Sequence, residues 1–214
     1  MSVRLRRVTL TAVTARITNL LPGVYSVEGF LDPSTGELIK SEMRESEYAR
    51  ARVYDREWNY QERATLRSTL QVEVSGATHA LIRAKLLDMR PALSRHFELE
   101  LSDCQELNFL IYKPGDFFEP HKDASERPGA PEHVRQRRVS VIVFLSDEDD
   151  IGQPGEYSGG SLGFYGLLKD PRAANIGLPV KGKAGLLVTF RSDVFHQVST
   201  VTRGERYSIV SWFV

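Results

Sequence analysis

Apolar and polar positions change their rhythm near residue 102. Before it, two stretches carry helical spacing. STGELIKSEMRESEYARARV, residues 34–53, opens on Ser34 with Glu37 three positions later, a capping-box pattern that predicts a helix start. GATHALIRAKLLDMRPALSRHF, residues 76–97, spaces Ala80, Leu81, Ala84, Leu87 and Leu93 along one helical face, with Pro91 as a point of kinking or termination. ATLRSTLQVEV, between them, reads as extended. Beyond residue 102 the apolar runs are short and separated by Gly, Pro and Asp. ELNFLIY alternates; RVSVIVFL, residues 138–145, is apolar on both faces and rich in β-branched residues; GGSLGFYG, AGLLVTF and RYSIVSWFV follow. The succession predicts a mainly β fold with flanking helices: a double-sheet jelly roll (a double-stranded β-helix) with the N-terminal helices packed on one sheet. One domain is expected over 1–214, with 1–101 a helix-rich support and 102–214 the jelly-roll core. The loops 124–137, 146–160 and 168–183 are polar and long enough to carry function.

Composition narrows the classes. The 214 residues suffice for one core. Lys plus Arg and Asp plus Glu number 28 each, and this balance argues against nucleic acid as the main partner. The single cysteine, Cys104, excludes a disulfide framework and any multi-cysteine metal site, and is read as a small buried hydrophobe. No apolar run reaches the roughly 20 residues of a membrane helix, so no membrane partner is expected. The N-terminus carries Arg4, Arg6, Arg7 and Arg16 with no acid before Glu28, a faint likeness to an organelle transit peptide. It is read as a leading strand or arm of a cytoplasmic protein.

The chemistry starts at FFEPHKDASERP. His121 and Asp123 are two apart, and on a strand such residues point to one face. Imidazole and carboxylate together suit a first-row divalent metal, although the pair alone is common by chance. Of the other histidines, His79 and His96 fall in the helical half and His133 in a polar loop, where ordinary helix and solvated-loop roles are expected. His196 differs: it lies between two late strands, and a jelly roll can bring a late strand beside an early one. Two His and one Asp would then form the three-ligand face of a non-haem Fe(II) site. Ten residues on, Arg206 opens an apolar strand with Ser208, Val210 and Trp212 on its face. A buried guanidinium there calls for an anion, and a dicarboxylate would supply one in two-pronged fashion.

In order and spacing, YKPGDFFEPHKD, RRVSVIVFLSD, GGSLGFY and GKAGLLVTFRSDVFHQVSTVTRGERYSIVSWF resemble the 2-oxoglutarate- and Fe(II)-dependent dioxygenases, specifically their prolyl 4-hydroxylase-like branch. The resemblance covers about residues 105–214; LLPGVYSVEGFLDP is similar to the family's lead-in strand, and 34–100 matches only in being helix-rich. It implies that His121, Asp123 and His196 hold Fe(2+) and that Arg206 holds the distal carboxylate of 2-oxoglutarate. Tyr112 and Asn108, on one strand face with Leu110, would line the cosubstrate pocket, and Trp212 would stand beside the substrate; core packing is an equal reading for Tyr112 and Trp212. Phe144 stands where some relatives carry a second pocket tyrosine, which removes a hydroxyl contact and puts more weight on Arg206. Asp193 is read as a turn residue. The implied cofactors are Fe(2+), 2-oxoglutarate and O2, with ascorbate a candidate reductant. The implied reaction is hydroxylation of a C–H bond with release of succinate and CO2. Asp123 favours this over halogenation, since related halogenases carry a small residue there. The expected substrate is a prolyl residue of a protein or peptide, with a free amino acid or small metabolite as the alternative. A non-catalytic jelly-roll binding module is disfavoured by the intact triad and Arg206. For SDEDD and the pair Arg63 and Arg67, solvated surface is the reading preferred over substrate contact.

Overall fold

The computed structural model describes residues 16–18, 20–55, 57–151, 153, 155–168 and 170–214. Among these residues, eight antiparallel strands form the larger sheet, in the spatial order Arg16–Thr18, Val24–Glu28, Leu187–Arg191, Val139–Phe144, Arg206–Phe213, Asn108–Tyr112, Leu70–Val72 and Tyr48–Arg50. The smaller sheet orders Leu178–Val180, Leu162–Phe164, His196–Val198, Phe117–His121 and Arg67–Ser68, also antiparallel. The chain leaves the larger sheet for the smaller after Tyr112, Phe144 and Arg191, and returns before Val139, Leu187 and Arg206. That exchange makes the jelly roll.

Period-two alternation divides the apolar side chains between two sides of the larger sheet. Val139, Val141, Val143, Phe109, Ile111 and Ile209 face outward and pack with residues of two helices, α1 (Pro33–Glu45) and α2 (Gly76–Phe97). Ile142, Phe144, Val188 and Phe190 face inward against Leu162, Phe164 and Val180 of the smaller sheet. Strand Val139–Phe144 is buried at every position because it serves both cores. The helices therefore lie on one sheet, as the sequence predicts.

Two helical details differ from expectation. The cap of α1 is Asp32, not Ser34: its carboxylate accepts from the Thr35 N–H at 2.9 Å, and Pro33 takes the first helical position. The helix ends at Ser46 rather than at 53. The Ser46 hydroxyl binds the Glu42 carbonyl, and Tyr48–Arg50 then pairs with Leu70–Val72 as the sheet's edge, which satisfies backbone groups that a longer exposed helix would satisfy with less tertiary gain. α2 has the expected bounds. Ser75 caps it and Glu98 closes it in the left-handed region at φ 54°. Its buried face is Ile82, Leu86 and Leu93; Leu81 is 43% exposed, and Ala80 and Ala84 are exposed too. The face is thus turned by about one residue, a step of roughly 100°. Cys104 is buried, beside Phe213. Arg4, Arg6 and Arg7 lie outside the described residues. Among the described residues, no helix is long and apolar enough to cross a membrane.

Candidate functional site

The smaller sheet brings His121 and His196 together as a cross-strand pair. Asp123 lies just past the strand end, so strand alternation does not aim it. Its backbone N–H donates to the Ser192 carbonyl at 3.0 Å, and the Ala124 N–H donates to the same oxygen at 2.9 Å. This clamp ties the H-x-D segment to the turn that leads into His196. The Asp123 carboxylate stands 3.6 Å from His121 Nε2 and 3.5 Å from His196 Nε2. One ligand atom from each residue lies within 4.8 Å of the others.

Both imidazoles are oriented the same way. His121 Nδ1–H donates to the Glu119 carbonyl at 2.8 Å, and His196 Nδ1–H to the Val194 carbonyl at 3.0 Å. Each ring therefore presents its other nitrogen to the shared space. The Ser140 hydroxyl donates to Asp123 Oδ2 at 2.6 Å and meets Ser192 Oγ at 3.0 Å. Burial pulls the His196 imidazole down to about 4, with His121 adding to this and Asp123 opposing it, so the ring is neutral near pH 7. Burial pushes the Asp123 carboxyl up, but His196, His121 and Arg137 outweigh it and hold the group well below the usual range. Two imidazole nitrogens beside a buried carboxylate suit a divalent cation.

Arg206 is 1% exposed. It faces Tyr112 across the strand pair, and its guanidinium lies between the Tyr112 ring at 5.0 Å and the Phe144 ring at 4.9 Å. Nη1 donates to Ser208 Oγ at 2.9 Å, but Nε and Nη2 are buried without a partner. Among the described residues no carboxylate pairs with it. A buried cation with two free donors fits an incoming carboxylate. Sequence reasoning passed over its neighbour, Tyr157, which is fully buried and whose hydroxyl also lacks a partner. The one signal in the sequence is a tyrosine ending a polar loop just before Gly159-Gly160.

A groove of about 1020 Å³ opens over His121 and Asp123. Trp212 lines it beneath Arg137, whose guanidinium lies 3.6 Å from the ring centroid and donates to the Asp123 carbonyl at 3.2 Å. Asn108 pairs with Val210, four residues along from the Tyr112–Arg206 pair, and lies on the groove wall. The outer wall is the hairpin Val53–Tyr54/Tyr60–Gln61. Asp55 shapes its turn by accepting from the N–H groups of Glu57 and Asn59, and Trp58 Nε1–H donates to the Pro128 carbonyl at 3.0 Å.

Three surface readings change. Arg63 and Arg67 both line the groove, and Arg67 stacks on Phe118, which stacks on His121. His133 belongs to a one-turn helix, Glu132–Arg135, whose exposed imidazole meets the Tyr54 hydroxyl at 3.3 Å on the groove wall. In SDEDD, Asp147 accepts from the Ala184 N–H and Glu148 from the Gly182 N–H, so both bind backbone. Asp193 is an exposed turn residue beside Arg191, as expected. His79 and His96 pack away from the groove, on Phe109 and Tyr25.

Comparison with known proteins gives the family and the fold. The sequence model described as the 2OG-Fe(II) oxygenase superfamily matches residues 107–214. A PKHD-type hydroxylase of Sphingopyxis alaskensis is 32% identical over 101 residues, 47% of this chain and 40% of that protein; the chain thus spans well under half of this relative's length. Among solved structures, a Pseudomonas putida prolyl-4-hydroxylase superposes with TM-score 0.64 and 25% identity over 91% of this chain and 94% of the other. A prolyl hydroxylase of Trichoplax adhaerens, solved with a hypoxia-inducible-factor peptide fragment, has the same fold, with TM-score 0.61 and 16% identity over 90% and 83% of the two chains.

Proposed function

This chain belongs to the 2OG-Fe(II) oxygenase superfamily, and from that premise we propose that it hydroxylates a prolyl residue of a protein or peptide. The observation that carries the reading is one arrangement: His121, Asp123 and His196 with converging ligand atoms, and Arg206 buried with two unpaired donors. The family implies Fe(2+), 2-oxoglutarate and O2. Together these supply an oxidation in which 2-oxoglutarate yields succinate and CO2 while a substrate C–H becomes C–OH.

The protein's own part is positioning. His121 and His196 would each offer Nε2, held in the right tautomer by the carbonyls of Glu119 and Val194. Asp123 would offer its carboxylate, oriented by Ser140 and Ser192. Arg206 would bind the distal carboxylate of 2-oxoglutarate, while the rings of Tyr112 and Phe144 keep water from that pair and strengthen it. Trp212 and Arg137, beside the Asp123 backbone, would form the floor on which the substrate C–H is presented.

Two observations favour a peptide. The groove's volume is at the upper end of small-ligand sites, and its outer wall carries Tyr54, Trp58 and Tyr60, surfaces suited to an extended chain. Likeness to the Pseudomonas putida prolyl-4-hydroxylase points the same way. The test is mass spectrometry of prolyl peptides, free proline and other free amino acids after incubation with Fe(II), 2-oxoglutarate and O2. Gain of one oxygen on a peptide prolyl residue, with matching succinate, is the expected result. Oxygen gained only by a free amino acid would replace this reading with the metabolite hydroxylase.

A further inference from the structure

We infer that Tyr157 is a second anchor for the distal carboxylate of 2-oxoglutarate, delivered by the 146–160 loop and supplying the hydroxyl that Phe144 lacks. The inference rests on the cosubstrate reading given above. Three buried polar atoms without partners fall in one neighbourhood: Arg206 Nε, Arg206 Nη2 and Tyr157 Oη. The two residues share a neighbour in Gly160, where an added Cβ would lie 3.1 Å from Arg206 Cδ and 3.2 Å from Tyr157 Cε2. The Arg206 guanidinium faces the Tyr157 oxygen, but this leaves the phenol's own proton without an acceptor. A guanidinium only donates, and a phenol that accepted from it would still have its own proton to place. A carboxylate accepts from both at once, and it is the group that the Arg206 pocket calls for.

The surroundings are built to hold this hydroxyl. A Cβ on Gly182 would fall 2.0 Å from Tyr157 Oη and 2.7 Å from Phe144 Cδ1, so only glycine leaves room for the phenol to pass Phe144. Gly160 has φ +67°, a conformation that glycine adopts without strain. The loop clamps both partners. The Tyr157 N–H donates to the Asp147 carbonyl at 3.0 Å, and the Asp149 N–H to the Tyr157 carbonyl at 2.8 Å. Glu148 grips Gly182 twice, through its own N–H to the Gly182 carbonyl at 2.9 Å and through its carboxylate to the Gly182 N–H at 3.1 Å. The acidic segment SDEDD thereby acts as scaffolding for a cosubstrate contact. Burial pushes the Tyr157 hydroxyl far up, with Arg206 opposing, so it stays protonated and can donate.

The test is calorimetric titration of the Zn(II)-loaded wild type and Tyr157→Phe with 2-oxoglutarate, and in parallel with oxalate, a chelator that has no distal arm. Tyr157→Phe should bind 2-oxoglutarate about tenfold more weakly and oxalate equally well, since one hydrogen bond to a charged group is lost. Because the hydroxyl's proton has no acceptor in the free protein, the variant should melt close to the wild-type temperature without ligand. Unchanged 2-oxoglutarate affinity, or an equal loss for oxalate, would overturn the assignment. Failure of the wild type itself to bind 2-oxoglutarate would strike instead at the proposed function.

Discussion

Asp123 is held by more groups than any other side chain of the site. Two imidazoles face it, Ser140 donates to it and Ser192 fixes its backbone. Asp123→Ala should remove metal binding and turnover while leaving far-ultraviolet circular dichroism unchanged, because the residue lies outside both apolar cores. Ser140→Ala tests the support separately: metal affinity should fall about tenfold, read by competition with a chromogenic chelator, while the ligands themselves stay. Arg206→Ala should raise the 2-oxoglutarate concentration needed for half-maximal turnover at least tenfold, with the metal still bound. His121 and Asp123 could be picked out because they stand two apart, and His196 and Arg206 because they stand ten apart; that the two pairs meet was expected only from the jelly-roll pattern and the family resemblance. Tyr157 was not. Its role depends on a loop placing it beside a strand some fifty residues away, with Gly182 making the room, and no local spacing encodes that.

Glu42 joins the two helices. Its carboxylate on α1 accepts from the Ser75 N–H and the Thr78 hydroxyl, both at 2.5 Å, at the start of α2. Burial pushes the Glu42 carboxyl up, but these hydrogen bonds outweigh it and set it below its ordinary value. A lowered folded pKa gives stability that is full above the unfolded value and is lost as pH falls through the folded one. Glu42→Ala should therefore cost about 1 kcal/mol in urea unfolding at neutral pH, and the difference should vanish once acid protonates the wild-type carboxylate. The hairpin bearing Trp58 makes a separate prediction: Trp58→Ala should weaken substrate peptide binding severalfold while 2-oxoglutarate affinity stays unchanged, since the hairpin lines the groove and Arg206 does not. Strands after residue 102 were legible because alternation and β-branched runs report burial directly. The end of α1 was not, because edge pairing with Leu70–Val72, a partner twenty residues on, decided it.

Across the molecule, the site depends on both sheets. The smaller sheet carries His121 and His196, and the larger carries Ser140, Arg206 and Trp212. Strand Val24–Glu28, from the N-terminal part, lies beside Leu187–Arg191, so the larger sheet is built from both parts of the chain. The jelly roll could be read from strand number and spacing; the order of strands across each sheet is a long-range outcome that no local pattern states. The proposed function requires that the trio and Arg206 form one cosubstrate-binding centre. Its most direct test is anaerobic titration of Fe(II), then 2-oxoglutarate, into the purified protein while recording the visible spectrum. A weak charge-transfer band should appear only when both are present, and be absent in Asp123→Ala. At low cosubstrate it should also be absent in Arg206→Ala. A folded, iron-bound wild type that shows no band on adding 2-oxoglutarate would mean that these residues do not form such a centre.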